Sequence, residues 1–358
     1  MPGTLPPGLQ IPKVSYWNTD VTVRTSAGYR DNPTLSSSGG SANYAYWAAG
    51  GDLLTFRLPV NGWQFSAFGT YNYLNYVPVG GASSASAEQT GMALGQLTKD
   101  WGGSWKTGGS VSAFYQDQVV DTTVTQTNGS SVTDIVGENL TGRWFVRKTF
   151  QPGWSEMTLS LSREWLAVPL DGFWQPGARL AVGRDYGPKG SSVSLFYQWA
   201  LVDFDTREQT SASGFAVPGT RLLFQTHSTE FLWQQGWDAA KHWQTVTRAG
   251  LDYNQDNGSG YYNYWQYHLA EELKYHPGTW DFALTGGVNY YDFTVQPASQ
   301  TDDSLRRKTS LAAGIYAGKR LGKSFKVFAS ASYERSISNA GYDAYTTTTT
   351  SAGLEYHF

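Results

Sequence analysis

Apolar and polar residues alternate along most of this chain with a period of two, the pattern of strands with one apolar and one polar face. The segment 280–290 shows it most clearly, with Trp280, Phe282, Leu284, Gly286, Val288 and Tyr290 on one face. The same alternation recurs in 63–73, 192–203, 242–254 and 324–335. Aromatic residues cluster towards the ends of each apolar face. Membrane-spanning barrels have such paired aromatic bands, because the bands lie at the two headgroup levels of the bilayer.

Short turns and longer segments alternate between these strands. The short turns are 59–63, 101–105, 151–154, 187–190, 237–243, 276–280 and 321–325. The longer segments, rich in small and polar residues, are 30–43, 78–87, 119–133, 169–175, 206–220, 255–260, 296–306 and 339–343. These connections predict an all-β fold, an antiparallel up-and-down transmembrane barrel of about sixteen strands with short periplasmic turns and longer extracellular loops. Weak alternation in 44–58, 88–100 and 176–186 leaves fourteen or eighteen strands open.

The composition is consistent with a barrel and not with membrane-spanning helices. Charged residues make up 15% of the chain and aromatic residues also 15%, yet the mean hydropathy is -0.41. No apolar run approaches the roughly 18–20 residues that a transmembrane helix requires. A closed barrel is then the remaining way to satisfy every backbone group in lipid. The net charge of -3 and the absence of a basic cluster argue against a nucleic-acid partner.

The start of the chain differs from the rest. Residues 1–13 contain four prolines and are predicted to form an extended periplasmic lead-in, followed by the barrel over 14–358. The first residues have neither a basic nor an apolar signal segment. We therefore expect a protein of the bacterial outer membrane whose signal peptide is absent from this chain.

The last residues carry a short motif, Leu354-Glu-Tyr356-His-Phe358, with alternating apolar residues and a terminal aromatic ring. This end resembles the last strand of the outer-membrane β-barrel proteins of Gram-negative bacteria, the porin-like superfamily. The resemblance implies that Leu354, Tyr356 and Phe358 are read by the barrel-assembly machinery. It also implies partners among outer-membrane lipids and lipopolysaccharide.

A second, shorter similarity lies near the start. The segment Gly28-Tyr-Arg-Asp-Asn-Pro33 is similar to the opening of uncharacterised porin-like barrels found beside exopolysaccharide export systems. Asp-Asn-Pro is also an ordinary turn sequence. Both interpretations stay open at this point.

Charged residues on the polar strand faces are predicted to line the lumen. They are Arg143, Arg147, Glu164, Arg179, Arg248, Asp252, Glu272, Lys274 and Glu334. Such charges could tune ion or solute selectivity. They could equally pair with one another and hold the barrel wall in shape.

A ring of aromatic residues is predicted at the periplasmic end, where the short turns lead into the strands. Its members are Trp63, Trp105, Trp154, Trp243, Trp280 and Phe325. Strict alternation also places three charges, Arg163, Glu230 and Glu271, on the lipid face, where a charge is costly. A register error, a β-bulge or a subunit interface would each explain them.

Catalytic and metal sites find little support in the sequence. Of the five histidines, only His227 and His268 are expected within strands, on the lumen face, and no Ser, Asp or Glu completes a dyad or triad. Asp302 and Asp303 lack the spacing of a calcium loop. The chain has no cysteine. We therefore expect no enzyme activity, no cofactor and no metal.

The favoured function is a porin-like channel for small hydrophilic solutes, with no long loop expected to fold inward. The alternative is a barrel in an envelope export complex, such as exopolysaccharide secretion, or an anchor without free diffusion. In that case lumen aromatics could stack on sugar rings, although ordinary packing also explains them; they are Phe68, Phe114, Phe145, Phe196 and Phe328. A homo-oligomer or a periplasmic export partner remains open.

Overall fold

A computed structural model describes residues 17–37, 43–80, 87–121, 132–167, 170–187, 190–299 and 301–358. The predicted lead-in, residues 1–13, lies outside this part of the chain. The described residues form sixteen antiparallel strands that close into one barrel. The strands are β1 Trp17–Asp31, β2 Asn43–Val60, β3 Trp63–Val79, β4 Glu88–Gly102, β5 Trp105–Asp121, β6 Val132–Phe150, β7 Gly153–Leu166, β8 Phe173–Asp185, β9 Ser192–Phe204, β10 Leu223–Gly236, β11 Trp243–Asp256, β12 Tyr264–Tyr275, β13 Trp280–Ser299, β14 Asp302–Arg320, β15 Phe325–Ser338 and β16 Tyr345–His357.

The first and last strands close the barrel. β1 pairs with β16 from Thr22 opposite His357 to Arg30 opposite Thr349, and every other strand pairs with its neighbours in sequence. A closed sheet has no free edge, so every strand has hydrogen-bonding partners on both sides. The predicted all-β, up-and-down barrel with sixteen strands is confirmed.

The connections have the predicted asymmetry. Each of the seven short turns joins two strands at the end of the barrel that also holds the start of β1 and the end of β16; this end is called the short-turn end below. The β2–β3 turn shows how two residues can join two neighbouring strands. Asn61 and Gly62 have φ angles of 51° and 79°, the left-handed pair that joins two twisted strands in two residues.

One predicted loop is wrong. Residues 296–306 were expected to be a longer extracellular segment, but β13 continues to Ser299 and β14 begins at Asp302. The two strands are 20 and 19 residues long. The irregularity that Pro297 brings is absorbed by register shifts on either side of it, because a proline cannot donate to the ladder.

The outer face of the barrel is apolar. Large side chains there are exposed, including Leu161, Leu284 and Ile315 at 50%, 56% and 58%. Charged and hydroxyl side chains occupy the inner face of the same strands. An apolar exterior of this extent is stable only against lipid, so the barrel spans a membrane. Among the described residues, no helix is long and apolar enough to cross one.

The most tightly packed side chains lie inside the barrel, at the end opposite the short turns, called the long-loop end below. One cluster contains Val202, Phe204, Leu222, Phe224, Tyr261 and Tyr262, with Phe173 against it. A second contains Tyr44, Tyr46 and Tyr76 on β2 and β3. The interior is therefore crowded with aromatic rings at one end and lined by hydrophilic groups below them.

Candidate functional site

Strand register places the nine charges expected in the lumen on the inner face. On β6, Arg143 lies opposite Ser110 and Ser160, and Arg147 lies opposite Lys106 and Glu156. The remaining seven side chains follow the same inner rows of their strands: Glu164, Arg179, Arg248, Asp252, Glu272, Lys274 and Glu334.

Basic side chains are concentrated on one arc of the inner wall, from β5 to β8. Lys106, Arg143, Arg147 and Arg179 line a cavity of about 630 Å³, together with Glu156 and a set of hydroxyl and amide side chains. Cross-strand pairing of Lys106 with Arg147 brings two of the cations side by side. One carboxylate among four cations leaves the cavity with a positive potential.

The neutralisation of this arc is incomplete. Arg147 Nε lies 3.5 Å from a carboxylate oxygen of Glu156. Arg179 instead lies over the ring of Phe196, 3.9 Å from its centroid, and its Nε atom has no hydrogen-bond partner. Within the described part of the chain, Arg143 and Arg179 have no ion pair. Their guanidinium groups are thus available to a solute.

On β10 to β12, the described inner charges other than Arg248 are largely paired with one another. His268 on β12 lies between two carboxylates, with Nδ1 3.2 Å from Asp252 and Nε2 3.5 Å from Glu230. Glu272 and Lys274 pair with each other at 3.0 Å. These paired charges fit the expectation that some lumen charges hold the barrel wall in shape.

A third ion network joins β13, β15 and β16 near the short-turn end. Lys326 lies 3.1 Å from Asp281 and 3.5 Å from Glu355. Further up the wall, Tyr345 donates a hydrogen bond to Glu334. These strands therefore present mainly compensated charge to the lumen.

The long-loop end is narrowed by segments that fold inward, contrary to the expectation that none would. Tyr262, in the β11–β12 loop, packs against the inward ring of Phe224 and is 1% exposed. Its hydroxyl accepts a hydrogen bond from Arg207 of the β9–β10 loop. Asp256 accepts bonds from the backbone N–H groups of Gly258, Gly260 and Tyr262, which folds this loop back over the lumen.

A buried ion pair holds the β15–β16 loop against β14. Arg306 of β14 donates to Asp343 from Nε at 2.8 Å and to Gln296 from Nη1 at 3.0 Å. Its side chain is 2% exposed and that of Asp343 is 0% exposed. Burial raises the pKa of the nearby Tyr261 and Tyr342 phenols, so both stay neutral and hydrogen-bonding at physiological pH.

Comparisons with solved structures find the same architecture. OccAB4 of Acinetobacter baumannii superposes with a TM-score of 0.50 at 8% identity, over 95% of this chain and 98% of that one. OccK9 (OpdG) of Pseudomonas aeruginosa gives 0.50 at 10% identity, over 96% and 98%. A structure described as a bacterial polysaccharide outer membrane secretin gives 0.46 at 12% identity, over 95% and 97%. No family model matches the sequence, and no curated protein matches it.

This chain shares with OccAB4 and OccK9 the fold of a sixteen-stranded barrel. At these identities the likeness concerns the fold alone. In the described part of the chain, no three His, Asp or Glu side chains are grouped as a metal site would require.

The aromatic ring at the short-turn end contains five of its six predicted members. Trp63, Trp105, Trp243, Trp280 and Phe325 point outward and are 40% to 50% exposed. Leu354, Tyr356 and Phe358 lie on the same outer face, and Tyr356 packs edge-on against Phe325. Their recognition by the assembly machinery stays a prediction.

Trp154 is the member placed wrongly. It lies opposite Thr149 and Gly183 on the inner rows, and its ring packs under the Arg147 guanidinium at 3.9 Å. Gly183 leaves the space for the indole, since a Cβ there would come within 2.4 Å of the ring. A tryptophan after a turn is therefore not always a lipid-facing one.

The outward charges also need one correction. Glu230 lies on the inner face beside His268, and His227, expected inside, points outward and bonds to the Tyr197 hydroxyl. The alternation of β10 had been assigned to the wrong face. Arg163 and Glu271 do point outward, Arg163 paired with Asp205 and Glu271 accepting from Thr247.

Proposed function

We propose that this protein is a passive outer-membrane channel for small hydrophilic solutes and that it prefers anions. The observation that carries the proposal is the basic arc of β5 to β8, where Arg143 and Arg179 line the cavity without acidic partners. Porin folds of this strand number are wide enough to hold water. The Occ structures with the same fold support a channel at the level of architecture.

The attraction between a lumen arginine and an anionic solute follows from Coulomb's law. A solute carboxylate about 4 Å from a guanidinium gains about 1 kcal/mol in bulk water and about 4 kcal/mol at the effective dielectric of a protein surface. Salt screens such interactions beyond about 8 Å at physiological ionic strength. Two uncompensated arginines on one wall therefore favour anions over cations without trapping them.

Planar-bilayer recording across a salt gradient tests this proposal. The wild type is expected to conduct with a reversal potential on the anion-selective side. The double variant R143Q/R179Q is expected to move it towards the cation side, because two unpaired lumen charges are removed. The matched control R307Q/R335Q removes two cations from the outer face of β14 and β15 and should leave the reversal potential unchanged. A wild-type barrel that conducts cations preferentially would refute the proposal.

The alternative, a barrel of an envelope export complex, is favoured by one observation. The inward loops at the long-loop end bury Tyr262, Phe293 and Leu222, so the outer mouth is narrowed before any solute reaches the cavity. A barrel that needs a partner to open would be silent alone in the bilayer and would co-purify with a periplasmic protein. Steady conductance of the isolated protein would exclude this alternative. Neither function requires a catalytic group.

A further inference from the structure

One cross-strand arrangement recurs on the outer face at the short-turn end. Trp63 on β3 lies directly opposite Lys99 on β4, Trp105 on β5 opposite Lys148 on β6, and Trp280 on β13 opposite Lys319 on β14. In each pair the tryptophan is the first residue of its strand. Trp17 opposite Arg57 repeats the arrangement on β1 and β2.

The ammonium groups lie close to the indole rings. Lys99 Nζ is 5.3 Å from the ring centroid of Trp63, Lys148 Nζ is 5.1 Å from that of Trp105, and Lys319 Nζ is 5.0 Å from that of Trp280. The rings are 46%, 45% and 40% exposed. These are cation–π distances, so each indole holds its lysine at a fixed height beside the membrane.

The lysines are not neutralised by the protein. Within the described residues, Lys99, Lys148 and Lys319 form no salt bridge, and the only hydrogen bond found for Lys99 goes to the backbone oxygen of Asn61. An ammonium at headgroup depth with free donor capacity attracts a phosphate, and such attraction amounts to about 1 kcal/mol per basic residue. The tryptophan beside it occupies the interfacial position that indoles prefer.

The pairs are confined to one side of the barrel. They lie on β1 to β6 and on β13 and β14, whereas the described residues of β7 to β12 have no such pair at the short-turn end. Arg163 and Trp174 form one across β7 and β8, but at the long-loop end, where Arg163 is also paired with Asp205. On that other side Trp154 turns into the lumen and Trp243 stacks on Tyr275 with 4.0 Å between centroids. Arg184 on β8 points outward at the same end but faces Val193, without an indole.

We propose that the Trp63–Lys99, Trp105–Lys148 and Trp280–Lys319 pairs are binding sites for the phosphate headgroups of anionic phospholipids in the leaflet at the short-turn end. The lysine contacts the phosphate and the indole lies at the base of the headgroup. Charge complementarity selects an anionic lipid over a zwitterionic one. The barrel thereby has a lipid-binding side and a side without these sites.

Native mass spectrometry of the delipidated protein with added phosphatidylglycerol or phosphatidylethanolamine tests the proposal. The wild type is expected to retain more phosphatidylglycerol than phosphatidylethanolamine. The variant K99Q/K148Q/K319Q is expected to bind phosphatidylglycerol about fivefold more weakly than the wild type, and more weakly still if the three sites act together. K99R/K148R/K319R keeps the cations and should bind as the wild type does. A boiling-dependent gel shift confirms that each variant is a folded barrel.

The matched control is R184Q/K241Q/K323Q, which removes three exposed cations from the same end but no Trp-paired one. It should retain the wild-type affinity for phosphatidylglycerol. Equal weakening in both triple variants would overturn the proposal, because net charge alone would then explain binding. Undiminished binding in K99Q/K148Q/K319Q would overturn it as well, as would an equal loss of phosphatidylethanolamine. These measurements need no conductance and stand apart from the channel proposal.

Discussion

Arg147 and Trp154 lie face to face inside the barrel, with the guanidinium carbon 3.9 Å from the centre of the indole ring. The pair joins the inner row of β6 to the first inward residue of β7, close to the turn between the two strands. The indole ring packed against Arg147 limits the positions that its guanidinium group can take. The electrostatic field that a solute meets is thus set partly by a tryptophan that the sequence had assigned to lipid.

Replacing Trp154 tests this arrangement. W154A is expected to lower the free energy of unfolding by about 3–5 kcal/mol if its packing is that of a core aromatic, of which the cation–π part is about 0.5–1 kcal/mol. W154F should retain most of the stability. Urea unfolding followed by tryptophan fluorescence measures both. A W154A barrel as stable as the wild type would contradict the inward packing.

The buried pair of Arg306 and Asp343 should be far more sensitive than an exposed one. D343N leaves a buried guanidinium without its counter-charge and is expected to cost about 3–5 kcal/mol of stability. The matched control is D292N, which breaks the ion pair between Asp292 and Arg307. Their side chains are 41% and 61% exposed, so the loss of stability should be less than about 1 kcal/mol.

The double variant R306M/D343L completes this test. It removes both charges and should recover much of the loss, because the guanidinium is removed together with its counter-charge. Thermal unfolding of the three variants under identical detergent conditions gives the comparison. Similar losses in D343N and D292N would show that the Arg306 pair is not buried as described.

Tyr262 is expected to control the width of the outer mouth. Y262A removes the ring that packs on Phe224, so the β9–β10 and β11–β12 loops lose their inward contact and the single-channel conductance should rise. Y262F keeps the ring and loses only the hydrogen bond from Arg207, so its conductance should stay near that of the wild type. A conductance in Y262A equal to that of Y262F would refute the role of the ring.

The β9–β10 loop should loosen in acid. Arg163 donates to both carboxylate oxygens of Asp205, at 2.8 Å and 2.5 Å, and this hydrogen bonding holds the pKa of Asp205 below its usual value. Because the folded-state pKa is depressed, the stabilisation is complete above the ordinary Asp pKa of about 3.9 and is lost as the pH falls through the lowered pKa.

Hydrogen exchange of residues 205–222, corrected for intrinsic rates, measures this effect. Protection in the wild type should fall below about pH 4. In D205N the pair is absent at every pH, so its protection should be low throughout and independent of pH in that range. A D205N loop with the wild-type pH dependence would show that another group is responsible.

The strands and turns followed from the sequence because both depend on local chemistry. Alternation fixed the inner and outer faces of β11, β13 and β15, and Asn61-Gly62 fixed a two-residue turn. Closure of the barrel was also predictable, since an apolar outer face leaves no other way to satisfy the backbone in lipid.

Strand β10 could not be assigned from its own residues. Its outer row contains the polar Gln225, His227 and Thr229, and its inner row begins with Phe224, so hydrophobicity indicated the reverse orientation. The register is imposed by the neighbouring strands, which the alternation of one strand does not reveal. The same applies to Trp154, whose inward direction depends on the space above Gly183 on the next strand.

The inward loops were missed for a related reason. Tyr262 meets Phe224 and Arg207 across 38 and 55 residues of sequence, and nothing local to residues 257–263 indicates those partners. The cationic arc is similar, because it depends on which rows of β5 to β8 become neighbours. Composition alone could name the charged residues but could not tell which of them lack a counter-charge.

Cysteine accessibility along β15 tests whether the apolar strand faces meet lipid and the polar faces meet water, since the chain has no cysteine of its own. Single substitutions at Ala329, Ser330, Ala331 and Ser332 would be treated, in lipid vesicles, with a charged, membrane-impermeant thiol reagent. Positions 330 and 332 are expected to react because they face water in the lumen, and 329 and 331 are expected to be protected by lipid. Reaction at 329 and 331 with protection at 330 and 332 would contradict the account.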